Sequence, residues 1–141
     1  MTPVGVGGGK PDRSLRRGER LQDPSEFQRV YDGGKSYRGS LIVLFVLSLP
    51  DLERKAGFVA SRRVGNAVSR NRAKRLLREA YRHHKNTIPE RGFHLVLVAR
   101  NTCRGADFAR VERDLLRLLL EAGFSSRDLK NSATLKTDSS S

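Results

Sequence analysis

Three blocks of the chain carry a helical pattern of apolar positions and four carry a strand-like one. In "DPSEFQRVYD" the residues Phe27, Val30 and Tyr31 recur at i, i+3 and i+4, the spacing of one helical face. Asp23 can cap that helix, Pro24 suits its first position, Glu26 stands three after the cap, and Gly33-Gly34 ends it. "KSYRG" predicts a short partner strand for "SLIVLFVLSL", whose nearly unbroken apolar run predicts a strand covered on both faces. "PDLERK" reads as a polar turn and "AGFVASR" as another strand with a glycine inside it. A helix then runs to about His84, "NTIPERG" breaks it with Pro89 and Gly92, and "FHLVLVAR" is a strand. "DFARVERDLLRLLLEAG" is an amphipathic helix with Phe108, Val111, Leu115, Leu118 and Ala122 as its stripe and Gly123 as its stop. The predicted order, α-β-β-β-α-β-α, defines a two-layer α/β (α+β) sandwich, a small sheet packed by helices.

Outside these blocks the pattern fades. Residues 1–19 are glycine-rich and basic with little to bury, and they read as a flexible extension; residues 130–141 read as a disordered polar tail. The span between, 20–129, is predicted to be a single domain, its folded part running from about Leu21 to about Leu129. The longest apolar run, Leu41 to Leu49, is too short to cross a bilayer, and the N-terminus has no apolar signal core. A cytoplasmic protein with no membrane partner is the expectation. The single cysteine, Cys103, excludes an internal disulfide and a cysteine-based zinc cluster, and no activating base stands near it in sequence.

Charge changes the picture most. Lys and Arg total 28 against 15 Asp and Glu, a formal net charge of +13. Such an excess favours a polyanionic partner, nucleic acid before a membrane surface. It is concentrated in "SRNRAKRLLREAYR". On a helical wheel Ala73, Leu76, Leu77, Ala80 and His84 gather on one side. Arg70, Lys74, Arg75, Arg78, Arg82 and Lys85 gather opposite, with Asn71 inside the basic arc and Arg72 at its border. Like charges at i, i+4 along Arg70, Lys74 and Arg78 cost a few tenths of a kcal/mol per pair unless a counter-charge meets them. Such a face suits phosphates. Arg62 and Arg63 precede it, Gly65 permits a tight turn, and either Asn66 or Ser69 can cap the helix. The wheel favours Ser69, because a start at Asn66 would put Val68 on the polar arc. The free N–H groups of that first turn offer a phosphate site. Arginine forks onto phosphate oxygens and stacks on bases, so structured RNA fits this surface better than a membrane.

The run from Arg62 through Glu79 resembles the signature of the bacterial ribonuclease P protein subunit, with its Arg-Asn-Arg core at Arg70-Asn71-Arg72, then Lys74-Arg75 and Arg78-Glu79. "RLQDPSEFQRVYDGGK" resembles the opening of the same family, and the resemblance spans about Arg20 to Ala122. It implies a ribosomal-protein-S5-domain-2-like fold with a left-handed β-α-β crossover, opposite to the general rule. It also implies a protein that does no chemistry itself: a catalytic RNA, using Mg2+ held mainly by the RNA, hydrolyses precursor tRNA to remove the 5′ leader. By that resemblance Arg70, Asn71, Arg72, Lys74, Arg75, Arg78 and Arg82 bind the catalytic RNA. Phe27, Tyr31 and Phe45, with Arg62 and Arg63 at the edge, line a cleft for the leader of the precursor tRNA. The family usually has Phe where Tyr31 stands. From pattern alone, Phe27 and Tyr31 read more as core than as a stacking platform, and Phe45 reads as core.

The residues independently argue against a self-contained nuclease. Glu53, Glu79, Glu90, Asp107 and Asp114 are scattered without the spacing that holds two metals. His83 and His84 diverge on a helix, and His94 reads as a packed strand residue. No side chain has an evident acid–base partner, so no catalytic residue, cofactor or metal ligand is expected in the protein itself. A structural RNA-binding protein of ribosomal type shares the basic helix but needs no cleft. A DNA-binding regulator is disfavoured, and no DNA partner is expected, because a strand rather than a helix precedes the basic helix.

Overall fold

The structure, a computed structural model, describes residues 15–124. Its elements are α1 (Pro24–Gly33), β1 (Lys35–Arg38), β2 (Ile42–Glu53), β3 (Lys55–Ala60), α2 (Ala67–His84), β4 (Arg91–Ala99) and α3 (Phe108–Glu121). The order is the predicted one. The sheet runs β1-β2-β4-β3; β1 and β4 pair with β2 antiparallel, and β3 pairs with β4 parallel. The result is an open mixed sheet with α2 packed across β3 and β4, α3 across β2 and β1, and α1 alone on the opposite face.

The strand register sorts the apolar residues between two layers. Ile42, Leu44 and Val46 of β2, Leu95, Leu97 and Ala99 of β4 and Ala56 of β3 join the core beneath α2 and α3. Phe45 and Leu47 of β2, Val96 and Val98 of β4 and Val59 of β3 belong to the smaller cluster on the α1 side, and the alternation of β2 puts Val43 on the same face outside that cluster. Of these, Val43, Phe45, Val59 and Val98 are only half-buried. The continuous apolar run of β2 therefore does not mean a strand covered on both faces, because on this face α1 buries Leu47 and Val96 but leaves Val43, Phe45 and Val98 partly open.

Local chemistry explains the element ends. The Glu26 carboxylate accepts from the backbone N–H groups of Gln22 (3.1 Å) and Asp23 (3.3 Å), tying down the start of α1. Asn66, not Ser69, caps α2: its Oδ1 accepts from the Ser69 N–H at 3.0 Å. The hydrophobic wheel disfavoured this start because of Val68, and Val68 is indeed 76% exposed. A satisfied N–H outweighs one exposed valine. "PDLERK" is not a turn as a whole: β2 continues through a register irregularity to Glu53, and Arg54 alone separates it from β3. After α3, Gly123 (φ +96°) lets the Phe124 N–H return to the Leu119 carbonyl at 2.7 Å, and Phe124 folds onto Phe93.

Two charged clusters hold the ends of the sheet. At one end Lys85 is buried, its Nζ 2.8 Å from the Glu19 carboxylate, which also meets Arg54 at 3.3 Å. Arg54 donates further to the carbonyls of Lys85 and Ile88. Burial pushes the Glu19 carboxyl up, but hydrogen bonds from Lys85, Arg16 and Arg54 outweigh it and hold the group below its ordinary range. Lys85 thus leaves the basic arc to which the wheel assigns it. The fold also begins earlier than the 1–19 extension allows, because Leu15 packs on the core and Arg17–Glu19 forms a 3-10 turn. The rest of that extension, Leu129 and the 130–141 tail lie outside the described residues.

At the other end the buried Asp114 carboxylate of α3 accepts from the N–H groups of Leu41 (2.9 Å), Ile42 (3.0 Å) and Ser40 (3.2 Å), and from the Ser40 hydroxyl (3.2 Å). It fastens the β1–β2 turn to α3. A side chain at Gly39 would run into this carboxylate. Asp114→Ala leaves buried N–H groups without an acceptor and should cost about 3 kcal/mol. The check is the urea midpoint at constant m-value; a loss below about 1 kcal/mol would show that the turn holds itself.

Candidate nucleic-acid interface

α2 carries two different surfaces because its periodicity separates them. Ala73, Leu77, Ala80 and Tyr81 are buried against the sheet, with the Tyr81 ring edge-on to Phe58 at 5.6 Å. Tyr81 was not in the predicted stripe; it lies beside Leu77 and takes the place on the sheet that His84 gives up by pairing with Glu112 at 2.8 Å. The opposite side presents Asn71 and Arg75 fully and Arg70, Lys74 and Arg78 in part. Arg70 donates to the Gly65 carbonyl at 3.1 Å and Arg72 to the Ala106 carbonyl at 2.9 Å, which orients both guanidinium groups around the N-terminal half of α2. Gly65 needs its glycine, at φ +141°. Arg82 pairs with Glu79 at 2.9 Å, and that hydrogen bond holds the Glu79 carboxyl below its ordinary range. Arg62 and Arg63 are exposed in a 3-10 turn between β3 and α2 rather than in the strand itself.

The α1 side of the sheet supplies the second surface. Three cross-strand rows follow from the register: Leu47–His94–Lys55, Phe45–Val96–Gly57, and Arg38–Val43–Val98–Val59. α1 covers the first. The second is roofed by aromatics: Phe27 lies directly on Gly57, where a Cβ would strike its ring, and Tyr31 meets Phe45 edge-on at 5.0 Å. No helix among the described residues lies over the third row, whose valines are half-buried. Tyr31 is 36% exposed and stands at the boundary, while Phe27 is half-buried. The cleft is therefore an apolar floor with one aromatic wall and arginines at its rim. Sequence reasoning did not find Arg38, Val43, Val59 and Val98. Alternate residues of the strands were legible, but which alternation faced the short helix was not.

Among the described residues no three His, Cys, Asp or Glu side chains gather as a metal group. Cys103 is buried and burial raises its thiol pKa, which removes the thiolate a nucleophile needs. His94 is buried beneath the first turns of α1 with its Nδ1 unpartnered. No helix among the described residues is long and apolar enough to cross a membrane.

Fold and surface together define a class: a small α+β protein with an outward-facing arginine helix beside an open apolar cleft, a surface that suits a polyanion. The Ribonuclease P family model matches residues 15–123, and the chain belongs to that family. Relatives described as ribonuclease P protein component include one from Clostridium novyi, 40% identical over 112 residues (77% of this chain, 97% of the relative). Another, from Natranaerobius thermophilus, is 41% identical over 98 residues (70% and 84%). The RNase P protein of Staphylococcus aureus superposes with a TM-score of 0.66 at 25% identity, covering 77% of this chain and 98% of that one. The protein from Thermotoga maritima gives 0.61 at 32% identity, covering 72% and 94%. Members of this family are the protein part of a ribonucleoprotein endonuclease that processes tRNA 5′ ends.

Burial pushes the His94 pKa below its ordinary value of 6.5, against the charge of Glu26. Unfolding restores that value, so near and below pH 6.5 the unfolded chain binds more protons. The stability from a neutral, buried His94 is complete above about pH 6.5 and is lost as pH falls. Urea melts at pH 7.5 and 5.5 should differ in that direction, and His94→Gln should shrink the difference. An unchanged difference would assign the pH dependence elsewhere.

Proposed function

We propose that this chain is the protein subunit of ribonuclease P and that its two surfaces have separate tasks. The outer face of α2, with Arg70, Asn71, Arg72, Lys74, Arg75, Arg78 and Arg82, docks onto the catalytic RNA by neutralising its phosphates. The cleft of Phe27, Tyr31, Phe45, Arg62 and Arg63, floored by Val43, Val98 and Val59, holds the 5′ leader of precursor tRNA. The observation that carries this reading is the half-covered sheet face beside the basic helix. A purely structural RNA-binding protein has use for the helix alone, whereas an open apolar floor with an aromatic wall suits unstacked bases.

Hydrolysis belongs to the RNA, and magnesium held mainly by the RNA supplies the metal chemistry. The protein contributes position and charge. Arginine forks fix phosphates bidentately and lower the repulsion between two RNAs, which reduces the need for free Mg2+. The cleft grips only what the leader provides, so precursor binds more tightly than mature tRNA. A cytoplasmic place of action goes with this reading.

The first test is leader removal from a precursor tRNA at low Mg2+, with a bacterial catalytic RNA alone, the protein alone and both. Cleavage only with both is expected. Tight RNA binding without stimulation would favour a structural RNA-binding role, and cleavage by the protein alone would overturn the division of labour. Arg70→Ala and Arg75→Ala should each weaken catalytic-RNA binding and flatten its salt dependence by about one unit of log–log slope. Tyr31→Ala should weaken precursor capture by about tenfold, in line with ~1–3 kcal/mol per aromatic–base stack, while sparing catalytic-RNA affinity. Equal loss in both would make Tyr31 a packing residue.

A further inference from the structure

The basic surface does not end with α2. Arg110, Arg113 and Arg117 follow one another at i, i+3 and i+7 on α3, within one stripe about 10 Å long. The stripe is turned away from α2, whose contact side of α3 carries Glu112 paired to His84. Arg110 and Arg113 are exposed; the Arg110 N–H donates to the capping Asp107 carboxylate at 2.9 Å, and among the described residues neither guanidinium forms an ion pair. Arg117 reaches Asp114 at 3.2 Å and stays 57% exposed. With Ser40, Leu41 and Asp114 these arginines line a shallow depression. Asp114 is the only acid in it, and that carboxylate already accepts from the backbone of residues 40–42. Three like charges therefore share one helix face with little local compensation.

The opposite end of the sheet is built differently. The depression there mixes Arg16, Arg54, Lys85 and Arg91 with Glu19, Glu53 and Glu90, and its buried cations have acid partners. The contrast is between charge that closes on itself and charge left for something else.

Continuity ties the α3 stripe to α2. Arg72 of α2 donates to the Ala106 carbonyl just ahead of α3. Arg104 lies beside Gly65, its Nε 3.6 Å from where a Cβ on that glycine would stand. Basic side chains thus run from α2 over residues 104–106 and along the outer edge of α3.

We propose that Arg110 and Arg113, with Arg104 as the link and Arg117 at the far end, form a second contact surface for the catalytic RNA, gripping the phosphates of a segment separate from the one on α2. This rests on the subunit role proposed above. A protein that holds two RNA segments on adjoining helices fixes their mutual orientation, which a single helix cannot do.

The test compares affinity for the catalytic RNA across a salt series for the full chain and three double variants. Arg110→Gln/Arg113→Gln, which breaks no ion pair, should weaken binding about tenfold or more at moderate salt. It should also flatten the log–log salt dependence by about two units. Arg29→Gln/Arg91→Gln removes the same charge elsewhere and should change affinity much less. Arg70→Gln/Arg75→Gln reports on α2. Loss with the α2 pair but none with the α3 pair would overturn this proposal alone. No loss with either would overturn the subunit reading itself. Equal losses with the α3 pair and the Arg29/Arg91 pair would reduce the effect to overall charge and also overturn it. A second readout locates the contact. Cys103 is the only cysteine and is buried, so Arg113→Cys can be labelled alone with an iron chelate that cleaves nearby RNA. Scission at a site distinct from that of Arg75→Cys is expected; scission at the same site, or none, would overturn the second surface.

Discussion

The attachment of α2 to the sheet through Ala73, Leu77, Ala80 and Tyr81 is the constraint on which the interface depends. Two alanines bring the helix axis close to β3 and β4, and the larger Leu77 and Tyr81 lock its rotation. Full burial of a side chain such as Leu77 contributes roughly 1.5–3 kcal/mol. A helix so fixed has no freedom to turn its basic side elsewhere. The repulsion among Arg70, Lys74 and Arg78, a few tenths of a kcal/mol per pair, is too small to rotate it. Core packing thus sets the direction of the charge, and the basic surface is held in place before any partner arrives.

The second constraint is the inequality of the two sheet faces. α2 and α3 cover one face, and α1, ten residues long, covers part of the other. Gly57 matters here for what it lacks: without a Cβ on β3, Phe27 can lie against the strand backbone, and α1 sits low at that end. The valine row beyond it stays half-buried, so this face keeps apolar surface open among the described residues.

Much of this was legible in the sequence, and the misses share a cause. Element order, the start of α1, the stop at Gly123 and the two-sidedness of α2 follow from local spacing and capping chemistry, which a chain states explicitly. The cap of α2 was misjudged because a side-chain pattern was ranked above a backbone hydrogen bond. Lys85 was placed on the basic arc because a wheel shows direction and not what lies in that direction, here Glu19, 66 residues away. Asp114 looked like one of several scattered acids because its partners, residues 40–42, are brought to it only by the tertiary fold. The valine floor was missed for the same reason: it exists only once β2, β4 and β3 are in register.

The outer strand has a consequence for the protein when it is alone. β1 is four residues long and carries Lys35 and Arg38 at its ends, beside a central β2 of twelve residues. Sheet edges invite other copies to add on, and short, cationic edges discourage it. A second molecule approaching along β1 meets Lys35 and Arg38 and finds few backbone groups to join. The excess positive charge then has two uses in sequence. Before a polyanion is met it helps keep copies of the protein apart in solution, and once one is met it supplies the attraction.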